Sequence, residues 1–162
     1  MVRGHIYRAA IGLPVQRAQV ENLYVEAMLL ADEAHTAFAT QRGDMARDTR
    51  RGANDSLLQV SLACESLKTT TRLMHIIAWL LHRRAMIAGD PGAGPDDSAA
   101  RIGAPVVADR DICARFDASV QRIVAASERL FDRIVAIEAG WDRPQPAVQP
   151  VQAMLARLEA RL

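Results

Sequence analysis

Four histidines, two cysteines and one ionic strip are the places where this sequence could do chemistry. Histidines bind metals or move protons near neutral pH, and cysteines ligate zinc or act as nucleophiles. The spacing argues against each use. His5 falls in a stretch that reads as an irregular N-terminus, and His35 follows Asp32 by one helical turn, so both read as surface residues. His75 and His82 share a helix face but stand about 10 Å apart, too far to chelate one ion without ligands from another helix. They read as structural histidines at a helix seam or rim. His75 is followed by Ile76, Ile77 and Ala78 rather than by the Lys and Gly of a phosphotransfer histidine. Cys64 and Cys113 belong to no CxxC pair and read as core thiols of a reducing, cytoplasmic compartment. There is no Walker glycine loop, Glu-x-x-His pair or Gly-x-Ser-x-Gly elbow, and Gly92-Ala93-Gly94 has Asp90, Asp96 and Asp97 close by, which repel phosphate. The chain therefore reads as non-enzymatic, with no catalytic residue, no metal and no cofactor.

The informative stretch is Glu65-Ser66-Leu67-Lys68-Thr69-Thr70-Thr71-Arg72-Leu73-Met74-His75, which sets ionic and hydroxyl groups into the middle of a helix. Glu65, Lys68, Thr69 and Arg72 follow at helical spacing, so one strip offers an acid, a hydroxyl and two bases. Three successive threonines are weak helix formers, and packing or hydrogen bonds must offset that. Two readings stay open. The strip is either a buried network that fixes helix register, with Arg72 reaching an acid of the first helix such as Glu26 or Glu33, or a recognition strip for a protein partner. Arg83 and Arg84 close the same helix, where cations complement the negative end of its dipole. The basic cluster Arg42, Arg47, Arg50 and Arg51 is balanced by Asp44, Asp48 and Asp55, which disfavours a nucleic-acid groove.

Those residues need elements to hold them. The 162 residues are 50% hydrophobic and 24% charged with a net charge of +1, a balance that fits one domain with its own core. Aromatics are only 4%, and Ala, Leu and Arg are abundant, which favours helix over sheet. The most apolar window, Leu73 to Leu81, is far short of the ~20 residues of a membrane span. Apolar periodicity predicts helices over about 14–41, 56–88 and 109–139. Pro14 suits the first turn of the first, Ser56 with Gln59 forms a capping box for the second, and Asp109 caps the third. Arg42 to Asn54 reads as a loop, and Gly89 to Ala108, with four glycines and three prolines, as a long, partly mobile connection. The second helix carries apolar residues on more than one face and must be covered from two sides.

The expected fold is all-α: an antiparallel three-helix bundle over residues 1–141, the second helix between the other two. A linker with Pro144, Pro146 and Pro150 follows, then a short amphipathic segment within 142–162 bearing Val151, Leu155, Leu158 and Leu162. That segment alone is marginally helical and must dock on the bundle, a second subunit or a partner to be ordered.

The runs Tyr24-Val25-Glu26-Ala27-Met28, Glu65 to Met74, and Ala78-Trp79-Leu80-Leu81-x-Arg83-Arg84-Ala85 resemble the alphaproteobacterial regulator of CtrA degradation family, RcdA. The resemblance covers about residues 20 to 139 and is strongest on the second helix. It implies a three-helix bundle able to form a homodimer and acting as a non-enzymatic adaptor that delivers cell-cycle regulatory substrates to the ClpXP protease. The partners it implies are a ClpX-type unfoldase, the response-regulator-like primer CpdR and, for some cargo, a cyclic-di-GMP-binding protein; the interspersed charges and the short apolar window separately predict no nucleic-acid and no membrane partner. The alternative is a structural homodimerisation module without a proteolysis role, in which Leu155, Leu158 and Leu162 cross to a second subunit.

Overall fold

The computed structural model describes residues 3–47 and 53–141, with side chains described over 14–47 and 56–141. These residues are helical or irregular, with no strand among them. Helix α1 spans Arg3–Arg47 and α2 spans Ala53–Ala88; a 3-10 turn, Ser98–Ala100, lies in the following connection; α3 is the short Arg110–Cys113, and α4 is Ala118–Trp141.

Three expected boundaries move. Helix α1 begins at Arg3 rather than at Pro14, so His5 lies on a helix and Pro14 sits inside it. An interior proline costs a helix ~3 kcal/mol, which is why the first turn was the cheaper assignment. The same helix runs on to Arg47 because Met45 is buried and continues the inward row of Phe38 and Gln41 past Gly43, so the expected loop shrinks at its N-terminal side. Helix α2 starts at Ala53, which puts Ser56 inside the helix instead of at its cap. Its far end is as expected: Gly89 takes φ +76°, its N–H donates to Met86 O (3.1 Å) and that of Asp90 to Ala85 O (3.0 Å), a Schellman closure.

The third expected helix is broken in two. Asp109 does cap, its Oδ1 accepting from Ile112 N at 3.2 Å, but α3 ends after one turn. Ile112, Phe116 and Val120 follow steps of four, each overshooting a 3.6-residue turn by about 40°, and a break at 114–117 lets Phe116 and Val120 both reach the core. The break is held by the Gln121 side chain donating to Phe116 O (2.7 Å) and by Asp117 N donating to Gln41 Oε1 (3.2 Å).

Each pair among α1, α2 and α4 is in contact, so α2 is one corner of a triangle and not a middle layer. Cross-links fix the directions. Glu21 meets Arg84 near one end, while His35 and Phe38 share a groove with Ser66 and Thr70, so α1 and α2 run oppositely. Glu26 with Arg133 and Gln41 with Asp117 make α1 and α4 opposite as well. Arg72 with Ser127 and Trp79 with Glu138 advance together, so α2 and α4 run the same way. The expected alternation fails for this pair because the chain travels back along α2 before α4 begins. The returning connection is fastened: Ala100, Ile102 and Ala108 are buried, which corrects its expected mobility.

Candidate functional site

The polar strip of α2 proves to be the fastening of that connection. Arg72 is 1% exposed. Its Nε and Nη2 donate to Val106 O at 2.9 and 2.6 Å, and its Nη1 donates to Ser127 Oγ. The nearest acid is Glu128 of α4, 3.8 Å away, not Glu26 or Glu33 of α1; Glu26 instead pairs with Arg133 at 2.6 Å. The partner differs because the inward face of α2 that carries Arg72 looks toward α4 and the connection, while α1 lies beside the face of Leu73 and Ile77. Burial lowers the affinity of Arg72 for its proton and neighbouring Glu128 and Glu65 restore part of it.

Glu65, 2% exposed, accepts from Lys68 Nζ (2.6 Å) and from Asp109 N (3.2 Å). The Lys68 pKa is raised chiefly by that hydrogen bond. Thr69 is fully buried, and its hydroxyl has no partner among the described residues. Beside them burial pushes the Cys113 thiol up from 9.0 to about 11, with the Glu65 charge adding to it. Cys113 is thus a core thiol as expected, whereas Cys64 is exposed.

Further along, Glu128 Oε1 accepts from Ala108 N (3.0 Å), and Glu138 Oε1 accepts from Trp79 Nε1 (2.9 Å) and Ile102 N (3.1 Å). Ala100 O receives Trp79 Nε1 (3.1 Å) and Arg83 Nη2 (3.3 Å). Arg83 also lies 5.0 and 5.4 Å from the ring centres of Trp79 and Trp141, which stack on one another at 5.7 Å. Arg84 goes the other way, to Glu21 at 2.8 Å and over Tyr24. His82 Nε2 lies 3.0 Å from Gly94 O at the rim, and His75 is exposed. Sequence reading missed Gln41, Glu128 and Glu138, acceptors for backbone N–H groups of the irregular segments; the partners of such acceptors carry no side-chain pattern.

Glu65, Thr69 and Arg72 are therefore spent inside, and only Lys68 reaches the surface. What α2 offers outward is apolar. Leu57, Val60, Cys64, Leu67, Thr71, Met74, Ala78 and Leu81 follow alternating steps of three and four, and they lie opposite the buried row of Glu65, Arg72, Ile76 and Trp79. Leu57, Leu67 and Met74 are 67, 68 and 62% exposed. Together with Val60 and Leu81 they show roughly 600 Å² of surface, at the top of what one patch on an ordinary monomer exposes. The seam runs about 36 Å along the helix, and Lys68, His75 and His82 flank it with ionisable groups. Helix α2 is covered from two sides as expected, by α1 and by α4 with the connection, and the seam is the third face, left uncovered among the described residues.

Comparison with known proteins gives one match. Residues 14–162 match the family described as "Protein of unknown function (DUF1465)". The chain belongs to that family. No curated protein and no solved structure matches it. The DUF1465 match takes in α1 from Pro14 onward, the strip, the seam and the tail. The tail residues Val151, Leu155, Leu158 and Leu162 lie outside the described residues. Among the described residues no helix is long and apolar enough to cross a membrane.

Proposed function

We propose that this member of the DUF1465 family is a non-enzymatic protein-interaction adaptor whose docking face is the outer seam of α2. One observation carries the reading: a heptad row of mostly apolar, exposed side chains, broken only by the half-buried Thr71, on a helix whose polar strip is used internally. Such a row is the face one helix presents to another, and leaving it in water is unfavourable at about 25 cal/mol per Å². The three long helices then serve as a three-helix bundle that holds the seam rigid, with the strip as its clasp. The resemblance to the RcdA family supplies the partners: a ClpX-type unfoldase, a response-regulator-like primer and cell-cycle regulatory substrates, in the cytoplasm. In that role tethering raises the effective concentration of substrate at the protease, and no bond is made or broken by the adaptor.

A second reading is favoured by the seam itself. Because it carries no charge of its own, it complements an identical seam, so two copies pairing through α2 form a homodimer with an isologous interface. With Cys64, Thr71 and Ala78 added, each copy approaches the ~800 Å² per partner of a standard interface. Sedimentation of the full chain with and without purified ClpX-type unfoldase, cargo and primer separates the two. The adaptor reading expects a heavier complex with those partners that Leu67→Glu with Met74→Glu abolishes. A dimer that the double variant dissolves, with no complex formed by either protein, leaves only the dimerisation module.

A further inference from the structure

A second unfilled surface lies on the other side of the molecule, between α1 and α4. There an open groove of about 730 Å³ runs past Leu30, Ala37, Ile123 and Ala126 on its floor and continues into a trough of about 350 Å³ ending near Glu26 and Arg133. Its two walls differ in sign. Asp32 and Glu33 stand on the α1 side, Arg122 and Arg129 on the α4 side. From Ser119 to Arg133 it is about 21 Å long at 1.5 Å per residue.

We infer that this groove is the seat of the chain's own C-terminal segment, residues 151–162, lying as a helix in the same direction as α4. Four features of the sequence fit that seat. The apolar row Val151, Leu155, Leu158 and Leu162 falls within about 60° of a helix surface and is about 17 Å long, matching the groove floor. On one flank of that row lie Arg157 and Arg161; on the other lies Glu159. Ala31, His35 and Phe38 of α1 face α2, whereas Leu30, Glu33 and Ala37 face α4, so with α1 uppermost and viewed from its N-terminus α2 stands to the left and α4 to the right. A right-handed helix seated on the outer right and running with α4 turns its arginine flank to Asp32 and Glu33 and Glu159 to Arg122 and Arg129. Running against α4, it sets like charge against like on both walls. The charges therefore choose the direction, and the direction sets a length: from Trp141 the chain must return to the first turn of α4, about 30 Å. The ten steps from Trp141 to Val151, stiffened toward polyproline geometry by Pro144, Pro146 and Pro150, span about 31 Å. The connection between α2 and α3 makes the same kind of return along α2.

Disulfide trapping in the full chain tests both seat and direction. In a Cys64→Ser background, Ser119→Cys is paired with Val151→Cys in one variant and with Leu162→Cys in another; Cys113 stays in the core. Mild oxidation should close the first pair within a single chain about tenfold more readily than the second, because only the first brings its thiols to a high effective concentration. Reversing Arg157→Glu should slow that closure, and adding Glu33→Arg should recover it. Preferential closure of the Leu162 pair, products that join two chains, or no closure in either variant would each refute the inference. None of these results depends on whether the α2 seam takes a partner, since the seam lies on a different face.

Discussion

Arg72 is the residue on which most of the irregular chain depends. It fills the hydrogen-bonding capacity of Val106 O and reaches Ser127 and Glu128 from a position with no solvent. Arg72→Ala leaves Val106 O without its two donors, takes a partner from the buried Ser127 hydroxyl and opens a cavity beside Glu128, and we expect it to cost about 3 kcal/mol. A lowered denaturant midpoint at unchanged slope is the readout, and a loss below about 1 kcal/mol would show the clasp to be dispensable. The two thiols give a second check. Cys64 is open and Cys113 is not, so a disulfide reagent should modify one thiol at once and the other only as the chain opens. The raised Cys113 pKa also has a sign. The folded thiol keeps its proton up to about pH 11 while the unfolded one loses it near 9.0, so this contribution is complete below pH 9 and fades as pH rises through 11. Melting temperature should fall across that window more steeply for the native chain than for Cys113→Ala. The chemistry of these residue types was legible from spacing; their partners were not. Helical periodicity puts Arg72 on a face, but which neighbour that face meets depends on a path of chain whose acceptors are backbone carbonyls.

At the scale of elements, the connection from Gly89 to Asp117 explains why the helix order departs from simple alternation. It is held at Trp79, Arg72 and Glu65 in turn, so its contacts with α2 retreat as the chain advances. Its glycines and prolines mark it as loose by composition, but the single buried residues Ile102 and Ala108 anchor it, and no periodicity announces them. The splitting of the third expected helix was written in its steps of four but required the Gln41 contact to be decided. Glu138 is the fastening near the start of the connection, and Glu138→Ala leaves Ile102 N without its acceptor and Trp79 Nε1 with one acceptor fewer. We expect a loss of about 1–2 kcal/mol, with faster amide exchange at Ile102 than at Ala108, whose N–H is held by Glu128. Equal acceleration at both sites would mean the connection opens as one piece.

For the whole molecule, the apolar row on which the proposed function rests is visible in the sequence, but periodicity alone does not separate an uncovered face from a buried one. Apolar residues on several faces of α2 imply two covering layers, which α1 and α4 provide; a further apolar face stays uncovered among the described residues and has the period of a helix-pairing seam. The account rests on that face being a working surface. Its most direct test is the rate at which purified ClpXP degrades a CtrA-type substrate with primer present. The native chain is expected to accelerate turnover, and the Leu67→Glu, Met74→Glu variant to lose that acceleration while melting at the same temperature. Equal acceleration by the two, or none by the native chain, would contradict the account.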